Sequence, residues 1–173
     1  QKTAVVERFT REAKSLYPGR YKRQALGFVR AEPEDTEALR RLARASEAHW
    51  GYDEAFMENF DAGFNVTEDF IRCNPVYAAG DRGCPTAFWG IRQDRDAWEL
   101  EYFYVAEERL GRGLGKQMWE HMTGWCEKKE ICRIHFVTSP QAVGFYRKMG
   151  AVRDGETRSP VDGRPVPHFV YDV

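Results

Sequence analysis

The sequence predicts an α/β fold with one mixed sheet, and three observations carry that prediction. After Pro75, the short runs "VYAAG", "TAFWGIR" and "WELEYFYV" are rich in Val, Tyr, Phe and Trp and are separated by "DRG" and "DRD", so they read as an antiparallel meander of three strands. Beyond residue 110, strand and helix patterns alternate, which requires part of the sheet to be parallel. The chain has 173 residues, 42% of them hydrophobic, which suits one folded domain with a single sheet.

In chain order, "KTAVVERFTREAKSLY" at residues 2–17 carries Val5, Val6, Phe9, Ala13, Leu16 and Tyr17 at helical spacing, and Pro18 with Gly19 ends it. No chemistry is visible there, and a packing or dimerisation arm is the plainest reading. "QALGFVRA", residues 24–31, reads as a first strand. Pro33, Asp35 and Thr36 signal the start of a helix whose Leu39, Leu42 and Ala43 share a face and which Gly51 breaks. Short helices are expected near Asp53 to Phe60 and near Thr67 to Cys73. After the three-strand meander comes a glycine loop, then a helix with Leu114, Met118, Met122 and Trp125 on one side, running to about Lys129. His121 lies on that helix and is expected to be exposed. "ICRIHFVT" is the next strand, and "PQAVGFYRKMG" the next helix, with Pro140 in its first turn and Gly150 past its end. "AVRDGET" and "VPHFVYDV" close the fold as two strands joined by the loop "RSPVDGRPVP".

Composition excludes several classes of function. A net charge of −1 gives no basic footprint for nucleic acid. No run of about 18 apolar residues exists to span a membrane, and no secretory leader is seen. Cys73, Cys84, Cys126 and Cys132 form no CxxC pair and have no His at zinc-finger spacing. They are expected to be ordinary reduced thiols, with Cys126 on a helix and Cys132 on a strand, in a reducing, cytoplasmic compartment and without a bound metal.

The chemistry concentrates in "RLGRGLGKQM", where Gly111, Gly113 and Gly115 alternate with Arg112 and Leu114 and Lys116 follows. A phosphate-binding loop of the G-x-x-x-x-G-K-[ST] type is ruled out, because Leu110 stands five before Gly115 and Gln117 follows Lys116. A dinucleotide fingerprint also fails, since its third glycine would be Lys116. What remains is a strand, a short connector and a glycine loop opening a helix. Free amides at the positive end of a helix dipole there suit a pyrophosphate, with Arg112 and Lys116 at its rim.

Strand, "GRGLGK", helix, strand and then "SPQAVGFYRKMGA" resembles the GCN5-related N-acetyltransferase (GNAT) family. Gly113 and Gly115 take the glycine positions of the family's first motif, with Leu110 where Gln or Arg is usual. Ala142, Phe145, Tyr146, Lys148 and Gly150 match its second motif, with Ser139 in the place of Asn. The resemblance covers roughly residues 24–173, leaving 1–23 as an N-terminal helical extension. It implies a mixed sheet that is mostly antiparallel in its first half, with a parallel strand pair where the coenzyme binds.

The activity it implies is acetyl transfer from acetyl-CoA to a primary amine, on a small molecule or a peptide, by direct attack with both substrates bound. The implied coenzyme contacts are Tyr104 and Val105 on the strand, Leu110, Gly111, Arg112, Gly113, Leu114, Gly115 and Lys116 in the loop, and Ser139, Ala142, Tyr146 and Lys148 around the second helix. Tyr146 is the candidate acid for the leaving thiolate, a phenol with an ordinary pKa near ~10. Glu99 and Glu101 are the candidate bases, with ordered water or His135 as alternatives. A bulge, usual on this strand in the family, would decide how the two glutamates face. His49, Trp50 and Tyr52, in "HWGY", are expected to border the acceptor pocket. A non-catalytic acyl-CoA-binding sensor is the alternative reading of the same loop.

Overall fold

A computed structural model describes residues 27–173. The expected helix at 2–17, the extension 1–23 and the start of the expected strand at 24–31 lie outside the described residues. The remainder of that strand is short, β1 (Val29–Arg30). A 3₁₀ turn at Pro33–Asp35 leads into α1 (Thr36–His49), and α2 (Glu54–Gly63) and α3 (Glu68–Cys73) follow. Each of the two short helices starts on the side-chain cap that its sequence offers. Asp53 accepts from the Phe56 amide at 2.8 Å, and Thr67 accepts from the Phe70 amide at 3.1 Å.

The meander is β2 (Val76–Asp81), β3 (Cys84–Asp94) and β4 (Ala97–Val105). Then come α4 (Leu114–Lys128), β5 (Arg133–Val137), α5 (Val143–Lys148) behind a 3₁₀ turn at Pro140–Ala142, β6 (Val152–Arg158) and β7 (Pro165–Asp172). Strand order in the sheet is β1-β2-β3-β4-β5-β7-β6. Every pairing is antiparallel except β4 with β5. The mixed α/β sheet with one parallel pair is thus present as expected.

The sheet is covered on both sides. Adjacent residues of β3 point opposite ways. Phe88 joins one core with Leu39, Phe60 and Ile71 from α1–α3, and Trp89 joins the other with Met118, Met122 and Phe136 under α4 and α5. The β3–β4 register slips between Gly90 and Ile91, where Gly90 faces Tyr102 and Ile91 faces Leu100, so Glu101 is the extra residue of a β-bulge. The slip turns the strand's second half over. Leu100 belongs to the α4 core and Tyr102 to the α1 core, although a regular strand would put them on one face. Glycine fits closely opposite the bulge, since a Cβ at Gly90 would stand 3.1 Å from both the Phe70 and Tyr102 rings and press on them.

Two expectations need correction. His121 is not a free surface residue. It accepts a hydrogen bond from Trp89 Nε1 at 3.0 Å and stacks on Phe28 with ring centres 4.7 Å apart. Cys132 precedes β5 rather than lying on it, and it is exposed. Cys126 is buried on α4, and burial pushes its thiol up to about 12.

Candidate active site

The parallel ladder between β4 and β5 has only two rungs, Trp98 with Ile134 and Glu99 with His135. Beyond them the strands part. The stretch of β4 after the bulge keeps its β3 partner as far as Val105 but, among the described residues, has no strand on its β5 side. A strand edge left open in this way can pair with an extended ligand through its backbone groups.

The glycine loop lies beyond this opening. Gly111 and Gly113 have φ of +70° and +83°, and Gly113 is the N-cap of α4 in a left-handed conformation that other residues adopt only at a cost of about 1–2 kcal/mol. No side chain caps the helix. Its first internal bond runs from the Gln117 amide to the Gly113 carbonyl at 3.1 Å, so the amides of Leu114, Gly115 and Lys116 have no acceptor within the helix. Together they present about half a positive charge. Gly115 meets a packing requirement: a Cβ there would stand 3.1 Å from the Phe145 ring on α5. Leu110 and Arg112 are exposed, and Lys116 is tethered only loosely, 3.8 Å from Glu120.

Tyr146 packs against both parted strands from the α4 side. Its ring lies 5.9 Å from Phe103 of β4, 4.6 Å from Phe136 of β5 and 5.8 Å from Trp119 of α4, centre to centre. Burial raises its pKa well above the ordinary phenol value, the Thr138 side chain works against that rise, and the charge of Glu47 adds to it. Ser139 and Ala142 open the turn into α5. Ser139 makes no capping bond there, Ala142 packs on the core, and Lys148 is exposed at the far end of the helix.

On the other face, Arg92 of β3 holds both candidate bases. Its Nη2 and Nε stand 2.7 and 3.1 Å from Glu99 Oε2, and its Nε is 3.2 Å from Glu101. Burial and the neighbouring Glu99 raise the pKa of Glu101, while Arg92 opposes the rise. His135, the ladder partner of Glu99, is bonded elsewhere. Its Nδ1 is 3.3 Å from His168 Nε2, and His168 bonds Asp154 in turn.

The end of α1 is tied to the end of β4. Ser46 donates to the Val105 carbonyl at 3.1 Å, the Tyr104 hydroxyl donates to Glu47 Oε1 at 2.7 Å, and His49 pairs with Glu107 at 3.0 Å. Burial raises the pKa of Glu47, against the pull of Tyr104 and Arg164. Burial, then the Glu47 charge, holds Tyr104 protonated. The trio His49, Trp50 and Tyr52 divides. Trp50 packs edge-on against His49, whereas Tyr52 packs on Phe56 at 4.2 Å beneath the guanidinium of Arg164. Glu47 and Arg164 are members of this cluster that the sequence did not single out. One signal existed for Glu47: it continues the i, i+4 row Leu39, Ala43, which puts a carboxylate on the buried face of α1.

The model of the acetyltransferase (GNAT) family matches residues 37–151, well over half of the chain. No curated protein matches the sequence significantly. Among solved structures, the PaiA N-acetyltransferase from Thermoplasma acidophilum, solved with coenzyme A, superposes with a TM-score of 0.67 at 19% identity, covering 86% of this chain and 99% of the other. The GCN5-related N-acetyltransferase from Rhodopseudomonas palustris gives 0.69 at 16% identity, over 86% and 96%. The ribosomal-protein-S18-alanine N-acetyltransferase from Escherichia coli gives 0.63 at 14% identity, over 85% and 93%. At these identities the likenesses speak for the fold.

Proposed function

The chain belongs to the GNAT acetyltransferase family, and on that premise we propose that it carries the acetyl group of acetyl-CoA to a primary amine with the donor lying along the open edge of β4. One observation carries this reading. The edge left free after Glu99 and His135 runs toward the uncapped start of α4, and Tyr146 packs against both parted strands.

The residues present fit the donor. The amides of Leu114, Gly115 and Lys116 suit its pyrophosphate, with Arg112 and Lys116 supplying charge at the rim. The backbone of Tyr104 and Val105 suits its extended arm, and an amide near Val105 would polarise the thioester oxygen. Bound there, acetyl-CoA supplies a thioester carbon to which the amine nitrogen bonds as the carbon–sulfur bond breaks, the ammonium's two surplus protons passing to the sulfur and to a base. Tyr146 delivers the proton to sulfur. Its burial keeps the phenol protonated, and the same dry surroundings make a thiolate more basic and readier to accept. Glu101 takes the other proton, directly or through water. Of the two glutamates it is the more weakly held by Arg92, and its raised pKa suits a base that works near neutrality. Glu99 is the anchor that holds Arg92 in place.

The test is release of free thiol from acetyl-CoA with and without amines, with mass spectrometry of the amine. Direct attack predicts no thiol release and no acetyl-enzyme without an acceptor, and a mass gain of one acetyl group on the amine with one. A stoichiometric burst of thiol from enzyme and acetyl-CoA alone would contradict it.

A further inference from the structure

Near the end of α1 and the β6–β7 loop, two buried polar atoms have no hydrogen-bond partner among the described residues, and the half-buried Glu47 carboxylate has a single neutral donor. Among the described residues, Glu47 is held by one neutral donor, Tyr104, and by no cation at ion-pair distance. The Tyr52 hydroxyl is buried and makes no hydrogen bond to the described residues. Arg164 lies 4.1 Å over the Tyr52 ring and 5.0 Å over Phe56, yet its Nε is buried without a hydrogen bond. The nearest carboxylate to that Nε, on Asp162 of the same loop, is 3.5 Å away. A hydrogen bond left unmade at a buried polar group is costly, so two such atoms on stacked side chains call for a reason.

The loop that carries Arg164 is a built structure. The Ser159 amide donates to the Arg164 carbonyl at 2.7 Å, and the Gly163 amide donates to the Ser159 carbonyl at 2.8 Å. Val161 packs into the α1–α3 core, and Ser159 is buried. The arginine is therefore held over Tyr52 by its own backbone. It is also close enough to Glu47 to act on that carboxylate electrostatically, although the two form no direct pair. Glu47 in turn acts on Tyr146. An anionic seat at Glu47 and a cationic seat at Arg164 thus border one aromatic cluster, in which Phe60 packs edge-on against Tyr104, the partner of Glu47, and Phe56 lies 5.0 Å from the Arg164 guanidinium. Around them are Phe56, Phe60, Tyr104 and Val161.

We propose that the acceptor is a free amino acid with an apolar side chain, its ammonium on Glu47 and its carboxylate on Arg164 and the Tyr52 hydroxyl. A zwitterion supplies the cation that Glu47 lacks and the acceptor oxygens that Tyr52 and Arg164 lack, and it does so in a single molecule. Asp162 is the carboxylate that the ligand's own would supplant at Nε. An amine without the carboxylate would leave the arginine and tyrosine as they are, and an N-acylated amino acid would leave Glu47 as it is. The assignment rests on the transferase reading above.

The experiment uses phenylalanine, leucine and methionine, each beside its decarboxylated amine and its amide. Acetyl-CoA-dependent thiol release is measured, together with binding of each compound to the CoA-loaded protein by calorimetry. The expected result is a kcat/KM for the amino acids at least about tenfold above that of their amines and amides, the size of effect that a charge-assisted pair gives. Arg164→Gln should bring the amino acids down to the level of their amines, and Arg164→Lys should restore part of the gap. Glu47→Gln should weaken binding of all three classes. Coenzyme binding, read as a thermal shift with CoA, should survive all three substitutions. Equal or better use of the amines and amides overturns the proposal, as does coenzyme binding with no amino acid bound or acetylated. Absence of any coenzyme shift in the unsubstituted protein would instead overturn the transferase reading beneath it.

Discussion

On the α4 side of the parted strands, the groups open to a ligand are backbone amides: the first turn of α4 and the free edge of β4. On the α1 side the groups proposed for the acceptor are side chains from distant parts of the chain: Glu47 from α1, Tyr52 from the turn after it, Glu101 from the bulge and Arg164 from the β6–β7 loop. The first half is suited to a constant ligand, because backbone amides persist under most substitutions. The second half can change its ligand by changing one residue. This division predicts where a substitution will act.

The sharpest test of the division is Tyr146, which packs against both parted strands. Tyr146→Phe should lower turnover by about a hundredfold, within the usual range for losing a general acid, with little change in the thermal shift given by CoA. A loss of coenzyme binding equal to the loss of rate would make Tyr146 a packing residue of the donor half. Next in size is Gly113→Val. Its φ of +83° is costly for a β-branched residue, so the variant should lose about 1–2 kcal/mol of stability and bind CoA at least about tenfold more weakly. Smaller is the effect of Arg92→Gln on the acceptor half. Without the cation, the Glu101 carboxyl moves further up. A base must be deprotonated to act, so the acid limb of the kcat/KM profile should shift to higher pH, and an unmoved limb would remove Glu101 from the base position.

The smallest expected effect concerns neither half. Burial lowers the pKa of His121 in the fold, so the unfolded chain takes up a proton that the folded one resists. Stability tied to this group is therefore present above its unfolded pKa of about 6.5 and is lost as pH falls through that value. Between pH 8 and 5.5 the unsubstituted protein should lose more Tm than His121→Gln. Glu47 and Glu101, whose raised values act in the opposite sense, are common to both proteins and cancel.

The same division explains what could be read from the sequence. Contiguous features were legible: the three meander strands, the glycine loop opening a helix, and Tyr146 in its motif. Each is a local pattern tied to local geometry. The bulge on β4 was expected, but its place was not, because the residue that makes room for it, Gly90, lies on the neighbouring strand. Glu47 and Arg164 stand 117 residues apart, the difference of their numbers, and neither carries a motif. His121 looked solvent-facing because its partner, Trp89, is on a strand rather than on its own helix.

The account rests most directly on the claim that the donor half binds through backbone. Thermal unfolding with and without saturating CoA, run on the unsubstituted protein, Gly113→Val and the double variant Arg112→Ala/Lys116→Ala, tests it in one experiment. A ligand at a hundred times its Kd stabilises by about 2.7 kcal/mol, so the shift is readily seen. The predicted result is a full shift in the first protein, a shift cut to about half or less in Gly113→Val and most of the shift kept in the double variant. A shift kept by Gly113→Val and abolished in the double variant would contradict the claim, because the coenzyme would then be held by charged side chains and not by the amides that open α4.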